Sequence, residues 1–595
     1  MSNKLNQENY YQERLKELYI ERKKFSNRAK RWVFIRLFSF LLIPVTVYFA
    51  FPLGGLAALL LVAVTVLFLF FVRKSAENKE KLNYVKNLIT LNDNELKALQ
   101  GDYSGFGDGS DWIDPNHAFS YDMDLFGKNS FFQLFNRTVT QRGEEYLVHR
   151  LLSGTKRITE TNETVEELRN HMDWTQRFRA HAMGLEKEQT NMVIAQWANE
   201  SVINRSWIRI FQWIIPVIAF TLTFLYYFDV IPGVVFGTSL LILLLPVRQL
   251  LRETNRMHGQ LSRMGPAVSA MKEQLEIFQE ITFESEILKE YQHALFHGGM
   301  NGKLAVGRLK TLVKEAEYRN NILVAILLNL YFAWDLRLIT NVDRWKSEFG
   351  REMKVWENIV YELEGLISAA VFRFNFEDQT SYARILSDKN GSIKLERVGH
   401  PIIPADKVVR NDFDLSEQER FAIITGPNMA GKSTFLRSVG INLMLARAGF
   451  PVMAQRFEFP DMHLYSSMRT SDNLSDETSY FHAELLRLRF IMNAIERGEP
   501  VFIILDEILK GTNSKDKEEG SARFLRKLSQ KGARGIIATH DLSLTELAKS
   551  NEEMVNLYFD TTIEGDDISF DYVMREGVAK NMNASFLLKK MGLTD

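Results

Sequence analysis

A glycine-rich segment in the C-terminal third of the chain has the residue types that bind phosphate groups. Residues 426–433 read GPNMAGKS and satisfy the pattern G-x-x-x-x-G-K-[ST]. In this pattern the backbone N–H groups hold phosphate oxygens, the lysine reaches the β- and γ-phosphates, and the serine hydroxyl binds Mg²⁺. Apolar residues 421–425 predict a buried strand before the loop, and residues 434–445 predict a helix after it. The sequence therefore predicts a nucleoside triphosphate site formed by Gly426, Pro427, Asn428, Met429, Ala430, Gly431, Lys432, Ser433 and Thr434.

Two further apolar runs end in side chains that suit phosphate hydrolysis. Residues 501–505 precede Asp506 and Glu507, and residues 535–538 lead to His540 two positions later. As parallel strands, both runs would deliver these groups to the sheet edge that holds the loop. We expect Asp506 to bind Mg²⁺, Glu507 to orient or deprotonate the attacking water, and His540 to sense the γ-phosphate. A lone histidine is more often structural, but this position after a third strand favours function. The catalytic candidates are Glu507, His540 and Lys432, and the metal ligands are Ser433 and Asp506.

Together these motifs resemble the ATPase domain of the MutS family, whose members act in DNA mismatch repair and recombination. The phosphate loop stands in the segment ITGPNMAGKSTFLRSVG, the two carboxylates in LDEILKGTNSKD, and the histidine in ATH. Upstream, Gly399, His400 and Pro401, followed by Asn411 and Asp412, resemble the family's landmarks at the entrance to that domain. The resemblance implies an ABC-type α/β P-loop domain with ATP and Mg²⁺ as its cofactors.

Another segment resembles the part of the MutS ATPase domain that connects two subunits. Residues 477–485 read ETSYFHAEL, and in the family a serine of the corresponding segment reaches the nucleotide of the partner subunit. Ser479 is the matching residue, and Phe481 and Glu484 are in register. The resemblance therefore implies a homodimer with composite ATP sites that include Ser479. The departures from the family pattern are Tyr480, His482 and, in the phosphate loop, Ala430.

Residues 124–154 resemble the beginning of the all-α core, or lever, domain of MutS proteins. The similarity lies in a pattern of polar residues that precedes an apolar helix. A generic amphipathic helical segment is the alternative interpretation. The residues that carry the pattern are Asn136, Arg137, Thr138, Thr140 and Gly143.

Composition sets limits on the class of protein. The chain has 595 residues, 46% of them hydrophobic and 25% charged, which is enough for several domains with full-sized cores. Its formal net charge of −1 provides no general basic field, so DNA binding would need local patches or an enclosed channel. The absence of cysteine excludes disulfides, zinc ribbons and thiol catalysis, and fits a reducing compartment.

Two apolar stretches predict transmembrane hairpins. The first, residues 32–73, has no charged residue between Arg36 and Arg73, and its two halves are each long enough to cross about 30 Å of hydrocarbon as a helix. The second, residues 207–248, contains two apolar runs joined around Asp229 and is flanked by arginines. A pair of buried core helices is the alternative in each case.

The flanking charges predict how these hairpins are oriented. Lysines and arginines flank the apolar runs of both hairpins and are absent from the loops that join these runs. By the positive-inside rule, both ends of each hairpin are therefore cytoplasmic. We expect a multi-pass protein with four spans in a bacterial inner membrane and with its soluble parts in the cytoplasm. A further apolar run, residues 322–334, is short and includes Asn329, which favours a packed core helix over a fifth span.

These features divide the chain into seven predicted segments. The segments are a basic cytoplasmic N-terminal helix (1–31), the first transmembrane hairpin (32–73), a linker (74–120), the first part of the core domain (121–206), the second transmembrane hairpin (207–248), the second part of the helical lever domain (249–395) and the MutS-type ATPase domain (396–595).

The sequence favours a membrane-anchored MutS-like ATPase that binds DNA in an ATP-dependent way, without reading mispairs directly. Mismatch-reading MutS proteins carry a globular domain where this chain has a hairpin and a linker. A membrane-associated ABC-like scaffold or remodelling ATPase that does not bind DNA is the alternative. An ABC transporter is less favoured because no LSGGQ signature occurs. Basic residues after the second hairpin would contact DNA phosphates or form a solvated helix face: Arg252, Arg256, Arg263, Lys303, Arg308, Lys310, Lys314 and Arg319.

Overall fold

In the computed structural model a helical part is followed by a part with β-sheets. The structure describes residues 2–50, 55–185, 194–203, 205–297, 301–469, 480–509, 513–564 and 567–579. The helices of the first part are α1 Ser2–Ala50, α2 Gly55–Leu99, α3 Phe131–Phe135, α4 Gln141–Ser153, α5 Ile158–Asn170, α6 Met172–Ala182, α7 Ile194–Ala198, α8 Ser206–Tyr227, α9 Gly233–Leu243, α10 Leu245–Gln249, α11 Leu251–Gln279, α12 Glu286–Phe296, α13 Gly302–Glu317, α14 Ile322–Phe332 and α15 Trp334–Asn375.

Helices α1 and α2 pack against each other and contain the first predicted membrane segment. The rings of Trp32 and Phe71 are 6.1 Å apart, and those of Phe40 and Phe68 are 5.7 Å apart. The apolar halves of both helices expose most of their large side chains, as lipid-facing helices do. By length and composition, α1, α2 and α8 could each cross a membrane, and two bent helix pairs raise this number to five among the described residues.

The second predicted hairpin is less regular than the first. Helix α8 is continuous over 22 residues, whereas the returning limb is divided into α9 and α10. Pro246 lies at the start of α10, where its missing N–H interrupts the helical hydrogen bonds. This limb then turns by 64° into α11. At the tip of the hairpin the ring of Tyr226 stacks on Phe236, with centroids 4.7 Å apart.

The prediction that residues 322–334 form a packed core helix is wrong. Most apolar side chains of α14 are exposed, and within this helix Asn329 is the residue that is buried. The helix packs along α8 rather than inside the helical part. The prediction failed because a short, evenly apolar segment has no periodicity that separates a protein core from another apolar environment.

The polar motif before α4 fastens this helix to the long helix α15. Thr140 caps the N-terminus of α4 with its hydroxyl. The buried carboxylate of Glu364, on α15, accepts hydrogen bonds from the backbone N–H of Val139, and from the N–H and hydroxyl of Thr140, each 3.0 Å long. The amide oxygen of Asn136 accepts from the backbone and hydroxyl of Thr138. These residues therefore have structural tasks.

A buried polar network joins the N-terminal hairpin to the other end of α15. Arg137 donates to Glu95 of α2 over 2.7 Å, and both side chains are almost fully buried. The second carboxylate oxygen of Glu95 accepts from the amide of Asn375 over 3.0 Å. The hydroxyl of Tyr11, on α1, donates to the same amide over 2.8 Å. Three elements that are distant in sequence thus meet around one carboxylate.

The C-terminal part is built on a six-stranded sheet with a smaller four-stranded sheet beside it. Its elements are β1 Arg384–Leu386, β2 Ile393–Val398, β3 Asn411–Leu415, β4 Phe421–Thr425, α16 Lys432–Ala448, β5 Arg456–Pro460, β6 His463–Ser467, α17 Tyr480–Glu496, β7 Val501–Asp506, α18 Ser514–Gln530, β8 Arg534–Ala538, α19 Thr545–Ser550, β9 Met554–Phe559, β10 Thr562–Glu564, β11 Asp567–Ser569 and β12 Met574–Glu576.

The strand order of the larger sheet places the functional candidates together. The order is β12-β9-β4-β8-β7-β6, and all neighbours are parallel except β12 with β9. Every residue of β4 and β8 is buried, as expected for central parallel strands. The carboxyl ends of β4, β7 and β8 therefore meet at one edge, where ligands bind in open α/β sheets.

Candidate active site

At two positions of the loop between β4 and α16, the backbone has a positive φ that glycine adopts more easily than other residues. Gly426 has φ +144° and Gly431 has φ +108°. A Cβ at Gly426 would stand 2.6 Å from the carbonyl oxygen of Phe559, too close for any other residue. Helix α16 begins at Lys432, and the preceding Gly431 has no side chain to accept from its first N–H groups. These N–H groups and the helix dipole suit an anion.

The side chain of Lys432 turns back onto the loop. Its buried Nζ donates to the carbonyl oxygens of Gly426 over 2.7 Å and Pro427 over 2.9 Å. The same atom lies 3.4 Å from Nε2 of His540. Burial lowers the pKa of Lys432 to about 8, although the nearby carboxylates of Asp506 and Glu507 oppose this shift. The loop therefore holds a cation at the place where phosphate charge would arrive.

Ser433 and Asp506 form the candidate metal pair. The Ser433 hydroxyl donates to Oδ2 of Asp506 over 2.6 Å. Among the described residues no group of three or more His, Cys, Asp or Glu side chains could hold a metal ion by itself. A hydroxyl and a carboxylate fit Mg²⁺, which keeps several waters and takes phosphate oxygens as further ligands. The donor set thus fits a metal that arrives with a nucleotide.

Glu507 and His540 meet across two adjacent strands. Nε2 of His540 lies 2.9 Å from Oε1 of Glu507, and both side chains are partly exposed. Asp506 pairs with Ala538 in the parallel register of β7 and β8, which brings the residues that follow together. Glu507 has φ +49°, and its N–H donates to the Ala538 carbonyl over 2.9 Å. The register and this turn hold the carboxylate at the sheet edge.

The segment that resembles the subunit contact is described only in part. Ser479 lies outside the described residues, so its prediction is untested. Phe481 is partly buried against the apolar core on one face of the large sheet. The buried carboxylate of Glu484 accepts from the N–H of Leu509, two residues after Glu507. Glu484 therefore supports the turn that carries the candidate catalytic carboxylate.

The candidate catalytic and metal-binding residues line a single cavity of about 890 Å³. It is also lined by Asn428, Met429 and Thr434. Its lining includes four further residues that were not predicted as part of the site, namely His400, Asn411, Phe559 and Tyr572.

Two of these four residues, His400 and Asn411, were noted in the sequence only as landmarks at the entrance to the domain. Asn411 donates to the carbonyl of Tyr572 over 3.0 Å and accepts from the N–H of Met574 over 2.8 Å, so it fixes the strand edge beside the loop. Burial lowers the pKa of His400 to about 4, which keeps its ring neutral. Tyr572 gave no sequence signal, because it joins the site through contacts between distant segments, the hydrogen bond from Asn411 and the pairing of β12 with β9.

The helical part touches the site through helix α16. Arg437, on α16, donates to the backbone carbonyl of Asp122 over 3.0 Å. The carboxylate of Asp122 accepts from the hydroxyl of Ser466 over 2.6 Å and from the N–H of Arg469 over 2.8 Å. One loop residue of the helical part thus binds both the phosphate-loop helix and the end of β6.

Comparison with known proteins agrees with this geometry. Residues 422–589 match the family model of MutS domain V. The DNA mismatch repair protein MutS of Aquifex pyrophilus is 31% identical over 271 residues, which is 43% of this chain and 31% of that protein. The DNA mismatch repair protein MutS of Thermotoga petrophila is 30% identical over 208 residues, 34% of this chain and 26% of that protein.

A third similar protein is the DNA mismatch repair protein MutS of Natronomonas pharaonis, which is 30% identical over 227 residues, 37% of this chain and 26% of that protein. The matched region therefore spans less than a third of the length of these relatives. The phosphate loop, the carboxylate pair and the histidine all lie within the region matched to domain V. On this similarity, the C-terminal part of the chain resembles domain V of the MutS family.

Proposed function

We propose that the C-terminal part is an ATP hydrolase that uses Mg²⁺ and acts as a homodimer with composite sites. The observation that carries the proposal is the convergence of five side chains on one cavity, at the edge where three parallel strands end. They are Lys432, Ser433, Asp506, Glu507 and His540.

Each side chain has a task that follows from its position. A bound triphosphate would draw Nζ of Lys432 from the carbonyl oxygens of Gly426 and Pro427 to phosphate oxygens, because hydrogen bonds between charged groups are stronger. Ser433 and Asp506 would hold Mg²⁺, which neutralises charge on the phosphate oxygens. Glu507 would orient the attacking water, with His540 holding the carboxylate in place.

Phosphate release by the purified protein tests this proposal. The wild-type protein should release phosphate from ATP only when Mg²⁺ is present. Asp506→Asn should strongly reduce turnover, because the amide removes a negative charge from the candidate metal pair. Turnover that is unchanged in both Asp506→Asn and Lys432→Ala would show that a contaminating enzyme produces the phosphate.

We further propose that this ATPase is anchored in a membrane by the two apolar hairpins and binds DNA near it. Three to five helices able to span a membrane support the anchor. The similarity of the C-terminal part to DNA mismatch repair proteins supports DNA as a ligand, in repair or recombination rather than in direct mispair reading. ATP binding would then change the arrangement of the helical part through its contact with α16.

A scaffold or remodelling ATPase without DNA is the second candidate, and the ion pairs of the helical part favour it. Arg256 lies 3.4 Å from Glu200, and Arg308 lies 3.0 Å from Glu348. Basic side chains that are paired with carboxylates within their own domain attract phosphates less strongly. Two other candidates, Lys310 and Arg319, are also paired, with Glu273 and Asp335.

A binding experiment separates these two candidates. The detergent-purified protein is titrated with duplex, mismatched and four-way-junction DNA, with and without ATP, at several salt concentrations. Binding that depends on ATP and weakens steeply with salt supports a DNA-binding ATPase. Absence of binding to all three DNAs at low salt, in a preparation that hydrolyses ATP, supports the scaffold or remodelling ATPase.

A further inference from the structure

Helix α14 presents an apolar surface that no other described part of the chain covers. Ile322 is 74% exposed, Leu323 is 69% exposed and Leu327 is 57% exposed. Val324, Ile326 and Phe332 are also exposed. Exposed apolar side chains that lie next to one another indicate a surface that contacts another apolar partner or medium. Exposed leucines without such a role usually occur singly among polar residues.

This helix lies beside a candidate membrane span. The ring of Phe220, on α8, is 5.4 Å from the ring of Tyr331 and 6.0 Å from that of Phe332. The hydroxyl groups of Thr223 and Tyr331 are 3.2 Å apart. The exposed faces of α8 and α14 are therefore neighbours and form one continuous apolar surface.

The ends of α14 are built so that few backbone groups need water. Asn321 caps the helix by accepting from the N–H groups of Leu323 and Val324. After Phe332 the chain bends by 80° at Ala333, which is buried with φ +49°. At the bend the amide oxygen of Asn329 accepts from the N–H of Asp335 over 2.9 Å. Such internal satisfaction is what a bent segment needs in hydrocarbon.

Length and flanking residues indicate how deep the helix enters. Its 11 residues span about 16 Å, half of the hydrocarbon thickness of about 30 Å. Tyr318 and Arg319 precede it, Trp334 follows it, and Arg337 lies over the ring of Trp213 at 5.0 Å. Aromatic and cationic side chains of this kind are enriched at membrane interfaces.

We propose that α14 is a membrane insert that enters the bilayer beside α8 without crossing it, and that lipid acyl chains cover its exposed face. This inference rests on the proposed anchoring by the second hairpin, whose apolar surface it extends. Both neighbours of the insert, α13 and α15, belong to the helical part, so the chain enters and leaves on the same side. The bilayer would thereby hold the first turn of α15.

The absence of cysteine from the chain makes a direct test practical. Single cysteines are introduced as Leu327→Cys on α14, Val217→Cys on α8 and Leu304→Cys on α13, where the native side chains are 57%, 66% and 51% exposed. Each is labelled with the environment-sensitive fluorophore NBD in proteoliposomes that contain nitroxide-labelled lipids. Leu323→Cys provides a second probe of α14, and retained ATP hydrolysis shows that each variant is folded.

We expect both probes on α14 to lose most of their fluorescence to nitroxides in the acyl chains, as the probe at 217 does, while the probe at 304 keeps its signal. Quenching at 217 without quenching at 327 and 323 would overturn the inference and leave the anchoring intact. No quenching at 217 would instead show that the anchoring fails. Copper-induced disulfide dimers at 327, with no lipid quenching there, would mean that a second copy covers the face and would also overturn the inference.

Discussion

The imidazole of His540 and the carboxylate of Glu507 are in contact, with Nε2 and Oε1 2.9 Å apart. Nζ of Lys432 lies 3.4 Å from the same imidazole nitrogen. A cation and a carboxylate thus both approach one ring nitrogen at the edge of the sheet. Any change in one of them alters the electrostatic surroundings of the other two.

Substitutions of Lys432 and Glu507 should have different effects on ATP binding and turnover. Lys432→Ala should abolish ATP binding, because it removes the cation that faces the phosphates. Glu507→Gln should retain ATP and reduce kcat by about 10²- to 10⁴-fold, the usual contribution of a general base. Binding is measured with a fluorescent ATP analogue, and turnover by phosphate release. Equal loss of ATP binding in both variants would contradict this division of tasks.

ATP affinity should depend on pH through Lys432. Its pKa is lowered to about 8 by burial, whereas bound phosphates would stabilise the ammonium form and raise the pKa. Below pH 8 the side chain is charged before and after binding, so the affinity is constant. Above pH 8 binding must take up a proton, so the Kd for Mg·ATP should rise with pH. Lys432→Arg stays charged throughout and should lack this dependence, and a flat wild-type profile from pH 7 to 10 would contradict the prediction.

Glu364 should make stability fall as the pH rises towards neutrality. Burial raises its pKa from 4.5 to about 7, although hydrogen bonds from Val139 and Thr140 oppose the shift. The folded state therefore binds the proton more tightly than the unfolded state. The resulting stabilisation is complete below pH 4.5 and is lost as the pH rises through 7, by up to about 3 kcal/mol.

Glu364→Gln is the matched control, because the amide oxygen still accepts from Thr140 while the side chain cannot ionise. Thermal unfolding of the detergent-solubilised protein from pH 5 to 8 measures the difference. The change in Tm with pH should be smaller in this variant than in the wild-type protein. Parallel profiles for the two proteins would show that Glu364 does not titrate in this range.

Short-range patterns predicted the secondary structure around the site well. The strand expected at residues 421–425 is β4, and the helix expected at 434–445 lies within α16. The glycines of the phosphate loop and the apolar runs that end in polar residues are patterns of neighbouring residues, so they can be recognised in the sequence alone. Parallel pairing then brings the ends of β7 and β8 to the loop.

The parts that were missed depend on pairings between distant residues or on the surrounding medium. Tyr572 lies beside the loop because Asn411 binds its carbonyl and β12 pairs with β9, and nothing in its local sequence encodes these contacts. The exposure of α14 was predicted wrongly, because apolar residues alone do not distinguish lipid from a protein core. The contact of Asp122 with Arg437 likewise joins residues more than 300 positions apart.

Reporter fusions should reveal the orientation of the two hairpins. Fusions at Gly54 and Pro232 should report a location outside the cytoplasm, since these loops lack lysine and arginine. Fusions at Ser110 and Asp595 serve as cytoplasmic controls. A cytoplasmic signal at Gly54 with an external signal at Pro232 would mean that only the second hairpin crosses the membrane.

Ser479 should matter for association of subunits more than for binding of ATP. If its hydroxyl donates to the partner's γ-phosphate, Ser479→Ala removes a charge-assisted hydrogen bond worth about 1.5 to 3 kcal/mol. ATP-driven dimerisation should then weaken by at least about 10- to 150-fold, the effect of one such bond, because a symmetric dimer has two of these sites. Sedimentation of full-length Glu507→Gln protein, with and without Ser479→Ala, at saturating ATP measures this effect. Equal dimerisation of the two proteins would exclude Ser479 from the composite site.

Helix α15 joins the bend beside α8 to the N-terminal hairpin. Its 42 residues extend for about 63 Å, from the bend at Ala333 to the buried amide of Asn375, which donates to Glu95 of α2. A stiff rod of this length converts a rotation of about 5° at one end into a displacement of about 5 Å at the other. If the proposed ATP site and membrane anchoring hold, small angular changes around the nucleotide would be amplified into movements that a lipid bilayer resists, and tension in the bilayer would act back on ATP turnover.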